Sequence, residues 1–280
     1  MTMRQNLTRK RKTHFATITV WAALMAAASM LPSFPILGGG GNFSISYTLA
    51  PLAGVMFGPI PGGLAALIGD FIGTLIAPHT ANVGIFTCLT GASNAFAAGY
   101  LSRGNWKPAF GLIVLSIGSW LLYPAAREAW IYSVTVWCVG LVMALVGGTL
   151  GVYLFEKKRF LWKAIGLFLI LYPCYIVAQG INCIFVMMLM DLPADLLKVL
   201  AFSVPAERLV FSFAAVIIGI PLLMGLPKIG VFVGPAYDNL EEETELDRQM
   251  RLEYEENRRK RDAMQKECAE KVFCQEEVRS

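Results

Sequence analysis

Long apolar segments separated by short polar connections dominate residues 15–227 of the chain. Lipid offers the backbone no hydrogen-bond partners, so an apolar segment of about 20 residues crosses a bilayer as an α-helix. The pattern therefore predicts an all-α, polytopic helical membrane protein with about eight (six to eight) transmembrane helices. The eight segments are residues 15–31, 45–57, 64–77, 84–101, 110–123, 132–155, 161–190 and 209–226. We expect a break near Pro173 in the seventh segment and an outer loop at residues 191–205 before the last one.

Charge predicts the division of the chain and its orientation. We expect a basic cytoplasmic arm, a helical transmembrane domain and a charged cytoplasmic tail, at residues 1–14, 15–227 and 228–280. Basic connections remain in the cytoplasm, which places residues 103–107, residues 157–163 and both termini on that side of the cell (inner or plasma) membrane. A cleaved signal peptide is the alternative for the N-terminus, but the apolar segment continues through Leu31 without a clear cleavage site.

Composition supports this class of protein. Of the 280 residues, 56% are hydrophobic and 16% are charged, whereas an ordinary soluble domain is about 25% charged. Fourteen of the 20 acidic residues lie from Asp238 onward, so the net charge of +4 combines a basic membrane part with an acidic tail and does not indicate nucleic-acid binding. The apolar positions of the tail sustain no heptad repeat, which favours a solvated extension over a coiled coil or a partner-binding segment.

Residues 43–78 form the most distinctive stretch, two apolar segments around a break rich in glycine and proline. Residues 58–63 contain two prolines and three glycines, which do not propagate a helix, so we predict a helical hairpin that turns here. One charge, Asp70, interrupts the second segment, where a carboxylate costs about 2.5–3.5 kcal/mol. It either caps polar groups between helices, which we favour, or faces a ligand or a coupling surface.

The same stretch resembles helices two and three of the substrate-binding (S) components of energy-coupling-factor transporters, which are membrane vitamin-uptake subunits. The residues that carry the resemblance are Phe43, Ser44, Leu52, Ala53, Gly54, Phe57, Gly58, Pro59, Gly62, Gly69 and Asp70. It covers about the first hundred residues. That family has six spans as a rule, so eight would mean an added helix pair, or one of the shorter segments would be re-entrant.

Small residues four positions apart form a smooth patch on the first predicted helix. The two pairs are Ala22 with Ala26 and Ala23 with Ala27. Such pairs let another helix approach closely. The resemblance implies that this patch docks on a transmembrane coupling subunit, and packing inside the chain is the alternative.

Polar and aromatic residues gather at the predicted outer ends of several helices. A charged pair beside aromatic rings suits a planar, polar small molecule, although the rings are also typical of an interfacial belt. Glu207 and Arg208 are expected at the start of the last helix, on the same side. The candidate substrate-binding residues are Trp120, Tyr123, Arg127, Glu128, Tyr175, Gln179 and Asn182, with His79 and Asn82 from an outer loop.

The sequence offers no catalytic or metal site. Its six cysteines have no C-x-x-C spacing and it holds two histidines, which argues against bound zinc. The motifs H-E-x-x-H, G-x-S-x-G and the Walker A loop are absent. We therefore predict neither an enzyme nor a cofactor, and any ATP-driven step would need separate ATPases.

The sequence favours a substrate-capture subunit of an energy-coupling-factor type importer. It would sit in membrane lipid, bind a small extracellular metabolite such as a vitamin or a related compound, and deliver it through a coupling subunit and paired ATPases. Two alternatives remain. One is a self-contained secondary transporter, which needs buried carboxylates for its coupling ion. The other is a non-transporting scaffold or regulatory protein that signals through the tail.

Overall fold

Most of the membrane part of the chain is defined in the computed structural model. It describes residues 13–31, 34–35, 42–81, 83–157, 159–190, 192–229, 231, 233–235, 249, 252–253 and 256. The predicted N-terminal arm therefore lies outside the described residues up to residue 12, as does nearly all of the tail. The chain divides into two units, Met1–Pro235 and Ala236–Ser280.

Each of the eight predicted apolar segments is helical. The helices are α1 (Thr13–Ala28), α2 (Ser46–Phe57), α3 (Pro59–Ile76), α4 (Thr87–Leu101), α5 (Lys107–Trp120), the short α6 (Pro124–Glu128), α7 (Trp130–Phe155), α8 (Phe160–Leu189) and α9 (Ala194–Gly225). Two stretches of α7 are π-helical, Ser133–Cys138 and Gly147–Gly151. The remaining elements are two paired strands, β1 (Phe34–Pro35) and β2 (Asn42–Phe43), and 3₁₀ turns at Pro78–Thr80, Gly84–Phe86 and Leu226–Ile229.

Among the described helices, α3, α7, α8 and α9 are long and apolar enough to cross a membrane, while α1 and α2 are shorter apolar helices. Many large apolar side chains on these helices are exposed, as expected of surfaces that face lipid. A helical, membrane-embedded protein is therefore confirmed in this coarse sense.

The turn of the predicted hairpin is shorter than expected. Helix α2 ends at Phe57, Gly58 adopts φ +98°, and α3 begins directly at Pro59. The expectation that residues 58–63 form the break was wrong. Both prolines, Pro59 and Pro61, fall in the first turn of α3, where the backbone N–H groups have no intrahelical acceptor and a proline costs little.

Glycines allow α1, α2, α3 and α4 to pack in near contact. A methyl group at Gly54 would overlap the backbone carbonyl of Ala95, and one at Gly99 would overlap the backbone of Pro59. Gly69 and Gly73 of α3 face α1 in the same way. These approaches fix how the first four helices sit against one another.

Helix α8 is the central helix, in contact with α4, α5, α7 and α9. Pro173 lies inside it without ending it, although the sequence predicted a break there. Helix α9 also begins earlier than predicted, because residues 194–205, expected in an outer loop, are helical. Pro205 removes one backbone donor from α9, and the helix continues through it into the apolar segment. Arg208 therefore lies in the middle of a long helix rather than at its start.

Candidate functional site

A polar cavity lies between the helices at one end of the structure. The cavity volume is about 50 Å³, and the space between the lining atoms including the open mouth is about 590 Å³. The lining residues are Ser29, Ser44, Ser46, Tyr47, Asp70, Gly73, Thr74, Thr80, Thr87, Thr90, Gln179, Asn182 and Arg208. Most of the residues that line this cavity thus carry a hydroxyl, amide or charged group, in an otherwise apolar helical protein.

The cavity occupies the end of the helices opposite a basic connection. It is lined by the first turns of α2 and α4 and by the last two turns of α3. At the other end, Arg103 of the α4–α5 connection donates to the carbonyl oxygens of Gly99 at 3.0 Å and Gly54 at 3.4 Å. The cavity and this basic connection therefore lie at opposite ends of α2 and α4.

One charged group of the cavity is the carboxylate of Asp70 on α3. The hydroxyl of Ser46 donates to its Oδ1 at 2.6 Å. Its Oδ2 lies against the backbone of α4 at Gly91, where a methyl group would overlap it. No ion pair joins Asp70 to any residue that the structure describes. The carboxylate is therefore stabilised by a neutral donor and opens into the cavity.

The other charged group is the guanidinium of Arg208 on α9, which is 2% exposed. It donates to the side-chain oxygen of Gln179 on α8. Its Cζ also lies 5.4 Å from the centroid of the Tyr47 ring, within the range of a cation–π contact. Glu207, its neighbour in sequence, is buried as well but does not line the cavity.

Gln179 connects the cavity to an aromatic cluster behind it. Its amide nitrogen donates to the hydroxyl of Tyr132 at 3.0 Å and approaches the sulfur of Cys183 at 3.3 Å. The Tyr132 ring stacks on Trp120 with centroids 4.4 Å apart, and Trp137 contacts both rings edge-on. Because these contacts orient Gln179, its oxygen is presented to Arg208.

Tyr175 lies beneath the cavity rather than in its lining. It is fully buried, and its hydroxyl contacts the carbonyl oxygens of Phe211 at 3.4 Å and Thr48 at 3.5 Å. Its ring lies 5.2 Å from that of Tyr47. Tyr175 therefore supports the Tyr47 ring, which in turn lies beside Arg208.

Two buried polar side chains of α4 lack hydrogen bonds within the described part of the chain. One is the hydroxyl of Thr90, which lines the cavity, and the other is the amide of Asn94, one turn further along. Buried polar groups are nearly always paired with protein, water or a ligand. The Thr90 hydroxyl is therefore positioned to bind a molecule in the cavity.

The structure divides the predicted substrate-binding residues into two groups. Gln179 and Asn182 line the cavity, with Tyr175 directly behind it. Trp120 is buried in the aromatic cluster, Tyr123 is half-buried, and neither lines the cavity.

The predicted charged pair lies away from the cavity. Arg127 and Glu128 are exposed, and Glu128 accepts from Lys198 at 3.3 Å on the surface. His79 is also exposed, although its neighbour Thr80 lines the mouth, and Asn82 lies outside the described residues. The charged residues of this cavity are Asp70 and Arg208 instead.

The two alanine pairs of α1 face in different directions. Ala22 and Ala26 are buried against Gly69 and Gly73 of α3. The second pair, Ala23 and Ala27, is exposed. Internal packing thus occupies the first pair, and the second remains on the surface.

Sequence reasoning missed several lining residues, chiefly Arg208 as a buried group and the hydroxyls around Asp70. Arg208 was expected beside a helix end, because Pro205 was interpreted as part of a loop. The signal that could have revealed it is the isolation of Glu207 and Arg208 in an apolar sequence, since charges inside membrane helices mark functional sites. No group of residues suited to hold a metal ion occurs among those that the structure describes.

Comparison with known proteins adds no relative to this picture. No protein-family model, curated protein or solved structure matches the chain.

Proposed function

We propose that the chain is the substrate-capture subunit of an energy-coupling-factor type importer. The polar cavity would bind a small extracellular metabolite such as a vitamin or a related compound. A separate coupling subunit and its paired ATPases would then drive release into the cell. The resemblance of residues 43–70 to the substrate-binding components supports this proposal, together with the position of the cavity.

The observation that carries the proposal is a cavity with two charged groups inside an apolar helical protein. A charge within membrane helices costs at least about 2.5–3.5 kcal/mol, so such groups persist where they serve a function. Here Asp70 and Arg208 both line one cavity together with hydroxyl and amide groups. Convergent polar groups in a concavity are the usual arrangement of a small-molecule site.

The proposed orientation places the cavity outside the cell. In this arrangement α1 to α5 and α7 to α9 would all cross the cell membrane, with both termini and the tail in the cytoplasm. The basic connections at residues 103–107 and 157–163 support it through the positive-inside rule. Single cysteines at positions 127 and 157, labelled in intact cells with an impermeant thiol reagent, test it: position 127 should react and position 157 should not.

The exposed side of α1 is the proposed docking surface for the coupling subunit. Ala23 and Ala27 lie there beside Val20 and Leu24, which are also exposed. Small residues four apart allow a second helix to approach closely. Because the sequence holds no Walker A motif, ATP hydrolysis would come from another chain.

Mass spectrometry of small molecules released from the purified protein tests the capture function. The wild type should release a defined metabolite in near-stoichiometric amount. Asn182→Trp fills the cavity from α8 and should abolish this release. Met188→Trp is the matched control, because Met188 lies on the same helix and is 67% exposed. Release of equal amounts by both variants would contradict the proposal.

Asp70 supports a second candidate function, that of a self-contained secondary transporter. A carboxylate in the cavity is the group that such a transporter needs to bind its coupling ion. Uptake of the released metabolite into proteoliposomes that contain this chain alone separates the two functions. A capture subunit should give no concentrative uptake under a proton or sodium gradient, whereas a secondary transporter should accumulate the metabolite.

A further inference from the structure

We propose that the chain binds a small monovalent cation, with sodium as the expected ion, where α2, α3 and α4 meet at the cavity. The ligands of the ion are side-chain oxygens of Ser46, Asp70, Thr90 and Asn94. This inference goes beyond the proposed function, because a capture subunit that is driven by separate ATPases needs no bound ion.

Asp70 provides the negative charge of the site. A carboxylate in an apolar helix such as α3 is costly unless it is paired. The hydroxyl of Ser46 donates to Asp70, but no ion pair joins Asp70 to Arg208 or to any other residue that the structure describes. A cation bound at the carboxylate would provide the counter-charge and offset the cost of its burial.

Thr90 and Asn94 offer neutral oxygens from α4. Thr90 is 5% exposed and Asn94 is fully buried. Neither the Thr90 hydroxyl nor the Asn94 side-chain amide has a hydrogen-bond partner within the described part of the chain. Buried polar groups of this kind are nearly always paired, since leaving them unpaired costs free energy. These two residues therefore indicate, independently of Asp70, that a polar species binds here.

The contact between α3 and α4 brings the three groups together. Oδ2 of Asp70 lies against Gly91 of α4, where an added methyl group would overlap it. Asn94 is three positions from Gly91 and four from Thr90, and residues so spaced are neighbours on a helix surface, with Cβ atoms about 5–6 Å apart. Thr90 also lines the same cavity as Asp70. The carboxylate, the hydroxyl and the amide thus form one local cluster.

Ser46 adds a hydroxyl from α2 to this cluster. It donates to Oδ1 of Asp70 at 2.6 Å, and its oxygen keeps lone pairs that are available to a cation. Carboxylate, hydroxyl and amide oxygens are hard ligands, which suit hard cations rather than metals that prefer sulfur or imidazole. An ion at this position would join α2, α3 and α4.

Charge balance favours a monovalent ion. Asp70 neutralises one positive charge, whereas Ca²⁺ or Mg²⁺ at the same ligands would leave a net positive charge among apolar helices. The cavity volume is about 50 Å³, and a water molecule needs about 10–15 Å³ of such volume. The cavity therefore has room for an ion with a few water molecules.

Equilibrium binding of radioactive sodium to the purified, detergent-solubilised protein tests the site. N-methylglucamine replaces sodium at constant ionic strength, which separates specific binding from the general effect of salt. The wild type should bind one sodium ion per chain, and its melting temperature should rise over the same range of sodium concentration. The absence of saturable binding would overturn the inference, as would displacement of sodium by an equal or lower concentration of Ca²⁺ or Mg²⁺.

Thr90→Val tests the contribution of α4, because valine keeps the branched shape of threonine and removes its hydroxyl. Sodium affinity should fall about tenfold with the loss of this ligand. Thr149→Val is the matched control, since Thr149 is exposed and its hydroxyl donates within α7 to the carbonyl of Leu145. Equal sodium affinity in the two variants would contradict the proposed ligand set.

Asp70→Asn tests the charge of the site and should abolish saturable sodium binding. Unchanged binding in this variant would overturn the inference, and if the variant does not fold, the wild type and Thr90→Val decide. Because sodium binding is measured without any metabolite, its absence would leave the capture function standing. Conversely, release of equal amounts of metabolite by Asn182→Trp and Met188→Trp would contradict the capture function and leave the ion site standing.

Discussion

The two ends of α2, α3 and α4 are built in opposite ways. At the end near the α2–α3 turn, glycines bring the backbones into contact, and Gly54, Gly62 and Gly99 each face another backbone segment. At the other end the same helices line the polar cavity with hydroxyl groups and Asp70. Close packing and an open polar site therefore coexist on one set of helices.

This division explains why a charged site can persist in an apolar protein. At the packed end each helix satisfies most of its own backbone hydrogen bonds, and Arg103 donates to the carbonyl oxygens of Gly54 and Gly99. The open end carries the polar side chains of the cavity, and a neighbour orients some of them, as Ser46 orients Asp70. A preformed site of this kind loses little conformational freedom when a ligand binds.

The largest effect is expected at the packed end, in Gly54→Ala. The added methyl group would overlap the carbonyl of Ala95, so α2 and α4 must move apart. We therefore expect the free energy of unfolding to fall by about 3 kcal/mol. Gly111→Ala on α5 is the matched control, because no atom lies within 4 Å of its added methyl group. Equal melting temperatures in detergent for the two variants would refute the close approach of α2 and α4.

The next largest effect is expected behind the open end, in Gln179→Leu. This change removes the side-chain oxygen that accepts from Arg208 and the amide N–H that donates to the Tyr132 hydroxyl. A lost hydrogen bond to a charged group costs about 1.5–3 kcal/mol. Affinity for the released metabolite should fall roughly ten- to a hundredfold.

Tyr132→Phe separates the two functions of Gln179. It keeps the ring that stacks on Trp120 and removes only the hydroxyl group. It should cost about 1 kcal/mol of stability, as expected for one neutral hydrogen bond, and change affinity less than Gln179→Leu does. A larger loss of affinity in Tyr132→Phe than in Gln179→Leu would show that Gln179 does not act through Arg208.

A smaller effect is expected from Ser46→Ala at the open end. It removes the 2.6 Å hydrogen bond to Asp70 but leaves the carboxylate open to the cavity, so we expect a loss of about 1–2 kcal/mol in metabolite binding. Ser93→Ala is the control, because the Ser93 hydroxyl donates only within α4, to the carbonyl of Thr90. Isothermal titration of the two variants makes the comparison, and equal affinities would remove Ser46 from the site.

The smallest effect is expected from Arg127→Ala. The sequence favours a ligand site around Arg127, Glu128 and Trp120, whereas the cavity lies at other residues. Arg127 is exposed, and surface substitutions change stability by about 0.5 kcal/mol or less. If the cavity is the site, affinity should remain unchanged. A tenfold loss in Arg127→Ala would instead move the site to the aromatic outer end.

The helices were predictable because the apolar pattern determines them, while the cavity depends on contacts between helices that the pattern does not encode. In three places the sequence analysis wrongly predicted that a proline would interrupt a helix. Pro59 and Pro61 start α3 instead of breaking it, Pro173 lies within α8, and Pro205 lies within α9. A proline ends a helix only where the lost N–H donor or the clash of its ring cannot be accommodated. Whether it can be accommodated depends on the neighbouring helices.

The site was predictable in part for a related reason. Gln179 and Asn182 are polar residues in an apolar helix, so their identity alone marks them. Arg127 and Glu128 carry the same signal, but a sequence does not reveal which side of a helix end faces the interior. The partnership of Arg208 with Gln179 joins residues 29 positions apart, and only the packing of α8 against α9 brings them together.

Isothermal titration of the released metabolite into four purified proteins shows whether the polar cavity is the site that binds it. Wild type, Met188→Trp and Arg127→Ala should bind it with equal affinity and one molecule per chain. Asn182→Trp should bind it at least a hundredfold more weakly, with an unchanged fold by circular dichroism. Undiminished binding by Asn182→Trp would show that the polar cavity is not where this protein holds its metabolite.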